Sequence, residues 1–232
     1  MKRLRNLVPA LFALVLVCAA CQAPNLRNDK FLKDQSLTSN EPCAAPCWHN
    51  ITPGKTAWSE ALTILEDDNN YDDPQTQDAK DGPAKLATWQ QKDGDSCCQM
   101  VSEDGKTVSF ILLQLAPRMT VGDLVKAKGE PKYAIGTPGN EDQAIVNLFY
   151  PDQSLIVIAF VAGADKGALS ESSEIIGAWY LTPERMDLIL KTSNLYSWKG
   201  YEPFSTYKPD ATDESVFAIT PSITLTPTPT GQ

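Results

Sequence analysis

The 232-residue chain is 42% apolar and 21% charged, proportions that fit one ordinary folded domain and exclude a disordered, collagen-like or polytopic membrane protein. Its formal charge of −9 comes from 20 basic and 29 acidic residues. Such an acidic surface argues against nucleic acid or an anionic bilayer as a partner, because carboxylates around each Lys or Arg would repel the phosphates.

Lys2, Arg3 and Arg5 precede an apolar run from Leu7 to Ala20, broken only by Pro9. The run is too short to span a bilayer as a helix, which takes about 20 residues, and suits the hydrophobic part of a secretion signal. Ala19 and Ala20 are small enough for a signal peptidase to approach, and Cys21 follows at once. This segment resembles the bacterial lipobox, although Cys18 stands where that pattern usually has Leu or Val. The resemblance implies removal of residues 1–20, acylation of Cys21 (a palmitate-type modification), and a protein held outside the cytoplasm on the bacterial cell membrane. Without Lys2, Arg3 and Arg5 the chain keeps 17 basic against 29 acidic residues, a balance of −12.

Residues 21–41 are mostly polar without periodicity and read as a flexible tether. A globular α+β domain is expected over 42–204. Thr56 is placed as the N-cap of a first helix, where Trp58, Ala61, Leu62 and Leu65 form one apolar stripe. An acidic loop holding Asp67, Asp68, Asp72, Asp73, Asp78 and Asp81 follows; its spacing matches no calcium loop, so a solvated insertion is expected. Three antiparallel strands are predicted over 85–91, 96–102 and 107–115, joined by Gly-bearing turns. Thr120 and Asp123 form a capping box before a second helix carrying Val121, Leu124 and Val125, stopped by Gly129 and Pro131. Strands over 144–150, 155–162 and 174–181 come next. A closing helix then starts at Thr182 and Pro183, with Met186, Ile189 and Leu190 inward. The fold expected is thus two tandem helix-then-antiparallel-meander units plus a closing helix, with helices on one face of the sheet and the other face open. Residues 205–232, ending in Thr226-Pro227-Thr228-Pro229-Thr230, read as a disordered Thr/Pro-rich tail.

This plan resembles the small lipoproteins of outer-membrane assembly and the secreted beta-lactamase-inhibitor proteins, with Gly54-Lys55-Thr56 standing where those families tend to have Gly-x-Thr before the helix. The stretch from Pro46 through Cys47-Trp48-His49-Asn50-Ile51-Thr52-Pro53 to Gly54, with Gly129-Glu130-Pro131 and Tyr150-Pro151, is similar to uncharacterised bacterial surface lipoproteins of similar length. That similarity implies no activity.

Cys43, Cys47, Cys97 and Cys98 make an even set in an oxidising compartment, so disulfides are expected. A bridge between the neighbours Cys97 and Cys98 would close a strained ring. Cys43 and Cys47 are therefore each expected to cross to one of them, fastening the entry segment to the sheet through loops of roughly 50 residues worth roughly 4 kcal/mol. Zinc held by these cysteines and His49 is disfavoured, since adjacent cysteines bite a tetrahedral ion poorly. His49 is the lone histidine, and beside Trp48 and Cys47 it suits packing better than base catalysis. No nucleophile elbow, phosphate loop or zinc-protease motif is present. No catalytic residue, metal or cofactor is therefore assigned. The expectation is a non-enzymatic, lipid-anchored extracytoplasmic binding or scaffold module that meets an envelope protein and no nucleic acid, with Trp89, Trp179 and Tyr180 as candidate binding aromatics. The alternatives are a carboxylate-based envelope hydrolase, or an inhibitor-like protein that binds a secreted enzyme.

Overall fold

Apolar alternation in the second half of the chain builds most of one antiparallel sheet. In the computed structural model, which describes residues 26–163 and 166–209, nine strands pair in the order β1-β2-β3-β4-β8-β7-β6-β5-β9. These are β1 (Gln75–Asp78), β2 (Lys85–Trp89), β3 (Cys98–Ser102), β4 (Phe110–Gln114), β5 (Tyr133–Pro138), β6 (Gln143–Tyr150), β7 (Leu155–Ala162), β8 (Ile175–Leu181) and β9 (Tyr196–Ser197). Four helices accompany them: α1 (Ser36–Ser39), α2 (Trp58–Asp67), α3 (Val121–Lys128) and α4 (Pro183–Thr192). The class is mixed helix and antiparallel sheet, with sheet predominating. No helix among the described residues is long and apolar enough to cross a membrane. Cys21, the signal segment and the Thr-Pro repeats lie outside the described residues.

The caps follow local chemistry. Thr120 and Asp123 close the capping box of α3, Gly129 ends that helix at φ 82°, and Thr182 accepts the Arg185 amide at the start of α4. Thr56 does not cap α2. Its hydroxyl accepts the Thr52 amide and its carbonyl accepts the Val108 amide, so Ala57 becomes the N-cap, without a side-chain bond. The approach to β4 competes for this backbone, and pairing displaces the cap.

The two sheet faces are covered unequally. On one, Trp58, Ala61 and Leu65 of α2 and Val121 and Leu124 of α3 pack with Met100, Ile111, Leu113, Val146, Leu148 and Val157. On the other, Met186 and Ile189 of α4 cover Leu86, Val101, Phe110, Phe149, Ile156 and Leu181. The closing helix thus sits opposite α2 and α3, and the expected bare face is bare only beyond α4.

The described parts of two expected loose ends, residues 26–41 and 205–209, are seated on the fold. The Leu32 amide donates to Gln114 and its carbonyl accepts from Ala116, which seats residues 26–41 beside β4 and buries Leu32 and Leu37. Residues 26–41 are therefore not the flexible tether expected from their composition. At the other end Phe204 and Tyr207 are fully buried, and the Phe204 ring fills the space where a side chain at Gly136 would sit. Two leucines in a polar stretch, and one phenylalanine on a glycine, suffice to hold each segment down.

Candidate functional site: a polar cleft and an apolar groove

Trp48 and Ile51 exchange both backbone hydrogen bonds, at 2.9 and 2.8 Å. His49 and Asn50 are therefore the two central residues of a minimal reversal, with φ of 47° and 65°. A two-residue loop of the type I′ form has left-handed φ at both positions, a conformation that Asn and His enter more readily than most side chains do. The turn buries Trp48 against Trp89, 5.6 Å between ring centroids, and presents the His49 ring beside it at 4.5 Å.

Asp34 arrives on the N-terminal segment. Its carboxylate accepts from the Ser36 amide (2.7 Å), the Ser36 hydroxyl (2.9 Å) and the Trp48 indole (2.5 Å). The imidazole lies between two acids, Nε2 4.0 Å from Asp34 Oδ2 and Nδ1 4.0 Å from Asp68 Oδ2. Asp68 Oδ1 is already taken by the Asn70 amide and side chain. Burial, and then the negative charge of Asp34 and Asp68, push the Tyr71 phenol above the usual tyrosine range. The group stays protonated as a donor. Burial, and then Asp34, push Tyr180 up in the same way, against a lowering hydrogen bond with Ser36.

Asp34, His49 and Tyr71 line a cleft of about 800 Å³ whose lining also includes Lys33, Asn70, Lys92 and Arg118. None of the three cations has a carboxylate partner among the described residues. An imidazole between two carboxylates is also the arrangement of an acid–base catalyst. Here Asp34 also accepts three hydrogen bonds, and Lys33, Lys92 and Arg118 place positive charge around the same cleft. Among the described residues no group of three or more His, Cys, Asp or Glu is arranged to hold a metal ion.

The three expected aromatics do not share a face. Trp179 and Tyr180 are neighbours on β8 and point to opposite sides. Tyr180 is buried beneath the helices, as is Trp89, whose indole nitrogen has no acceptor among the described residues. Trp179 lies on the part of the other face that α4 leaves uncovered. There Leu112, Ile145, Ile158, Ile176, Trp179 and the leading residue Leu26 line an apolar groove of about 430 Å³.

The cysteines are paired, but locally: Cys43 with Cys47 and Cys97 with Cys98. This corrects the expected crossing. The Cys47 amide bonds to the Ala44 carbonyl, so the chain doubles back and brings the first pair to a Cα separation of 5.7 Å. Cys97 lies just before β3, so the alternation that would send two neighbouring strand residues to opposite faces does not bind it.

Asp34, Lys33, Tyr71, Lys92 and Arg118 were not legible as site residues, because they come from four separate stretches with no shared spacing. The one local signal was His49-Asn50 between two large apolar residues, the form of a tight turn. Comparison with known proteins finds no matching family model, no similar curated protein and no similar solved structure.

Proposed function

We propose that the protein is a lipid-anchored, extracytoplasmic binding module, without catalytic activity of its own, that takes an acidic segment of an envelope protein into the cleft at His49. The observation that carries this is the set Lys33, Lys92 and Arg118, three cations with no carboxylate partner among the described residues, around one cleft of a strongly acidic chain. Such cations supply charge-assisted hydrogen bonds to a carboxylate, while Asn70 and Tyr71 offer neutral ones. The anchor is Cys21, after removal of residues 1–20. The framework we propose is two tandem helix-then-meander units, a reading supported by α2 preceding β1 to β4, α3 preceding β5 to β8, and β4 lying beside β8.

A photo-crosslinking residue at the exposed Asn70 should give a discrete protein adduct in cells, lost in Arg118→Glu. The same residue at Leu188, exposed on α4, should give none. Equal adducts from both positions, or none from Asn70, would sink the proposal. Separately, Cys21→Ala should move the protein from the membrane fraction to the soluble one.

A further inference from the structure

We infer that the apolar groove on the uncovered part of the sheet is the seat of an acyl chain carried by Cys21 of the same molecule, an inference that rests on the anchor proposed above. Leu26, one of the groove's own lining residues, is five residues after Cys21. Five residues of fully extended chain reach about 18 Å at most, so the acylated cysteine cannot be farther than that from Leu26. An acyl chain that fills one leaflet is about 15 Å long, half of a hydrocarbon core of about 30 Å, and it comfortably reaches back.

The groove is built for such a guest. Leu112 pairs directly with Trp179 across β4 and β8, and Ile158 lies opposite Gly177 on β7 and β8. These residues, with Ile145, form an apolar floor that Gln99 and Gln114 also border, and Leu112 and Trp179 at its edge pack against the cluster that α4 covers. Gly177 keeps the floor low: a side chain there would meet Ile158 Cδ1 and the Leu113 carbonyl at 3.0 Å. Arg27 is fixed at the margin, ion-paired with Glu174 at 2.5 Å and lying over the Phe160 ring at 5.3 Å. Arg27 and Leu26 thus hold the first described residues of the chain beside the groove.

The driving force is covering the floor. Moving a chain from bilayer to groove leaves the chain's own burial nearly unchanged, but it removes the walls of the groove from water. The short connection also makes the event intramolecular, at a high effective concentration. The acidic body gains little from lying flat on an anionic bilayer, which makes a guest chain a better cover for this face than the membrane surface.

The test uses the full acylated chain, isolated from cells fed a diazirine-bearing fatty acid and irradiated in detergent and in vesicles. The expected result is a crosslink within one chain, from the Cys21 acyl group to peptides containing Leu112, Ile158 or Trp179. The double variant Leu112→Gln/Ile158→Gln should reduce that crosslink by about tenfold or more, because it places polar amides in an apolar seat, while acylation at Cys21 persists. Acylated protein whose crosslinks go only to lipid, detergent or other chains overturns the seat and leaves the anchor standing. An intact mass showing no acyl group on Cys21 overturns both. If the double variant does not fold, the crosslinked peptides of the parent chain decide alone.

Discussion

At Cys43, Cys47, Cys97 and Cys98 the pairing sets how much of the fold the disulfides hold. A loop of about five residues is worth about 2 kcal/mol in the chain-entropy model, against about 4 for a loop of about fifty. Cys43→Ala/Cys47→Ala should therefore lower unfolding free energy by about 2 kcal/mol, read from urea denaturation. Tryptic peptides made without reductant should carry Cys43 with Cys47, and Cys97 with Cys98, on separate fragments. One linked fragment would restore the crossing pattern. His49 poses a different question, since a left-handed φ at this residue costs stability that a binding role would justify. Asn accepts the same turn geometry, so His49→Asn should leave stability within about 0.5 kcal/mol. The same variant should abolish the Asn70 crosslink if the imidazole contributes to the cleft.

Helix α3 and the turn before β4 show how single elements are fixed. The Thr120 hydroxyl and amide, in that order of influence, hold the Asp123 carboxyl below its usual range. A carboxyl depressed in the folded state contributes fully above the ordinary carboxylate pKa, and its contribution disappears as pH falls through the depressed value. Thr120→Ala should thus cost about 1 kcal/mol at pH 7 and less at pH 3, a difference that urea melts at the two pH values will register. Gly105, at φ 72°, lies where an added side chain would sit 2.3 Å from the Pro83 carbonyl oxygen. Gly105→Ala should lose about 2–3 kcal/mol, through strain at positive φ and a backbone clash. Such elements were legible because Thr-x-x-Asp and Asp-Gly act over a few residues. The edge strand β1, Gln-Thr-Gln-Asp, was not. It is solvated on both sides, carries no apolar alternation and owes its shape to pairing with β2.

For the molecule as a whole, alternating apolar residues announced the central strands, and β7 has the boundaries read from sequence. What the pattern could not announce is where separate stretches meet. Leu32 sits in a polar segment, yet it is 2% exposed and bridged to Leu115. Leu32→Ala should therefore cost about 3 kcal/mol, as for a core leucine, whereas a position in a true tether would shift stability by less than about 0.5. A urea titration of the two-state transition separates these outcomes. The site shares this limit: Asp34 becomes a partner of Trp48 only because the segment carrying it docks beside β4.

The order of strands also sets a schedule for the emerging chain. β4 finds β3 at once, a few residues away, but its other edge waits for β8, whose Gly177 follows its partner Gln114 by 63 residues. Until that later stretch arrives, Phe110–Gln114 is an unpaired apolar border able to recruit a stranger's strand. A chain halted before Ile175 should accordingly self-associate, and the seam in the middle of the sheet closes only after the strands on both sides of it have been made.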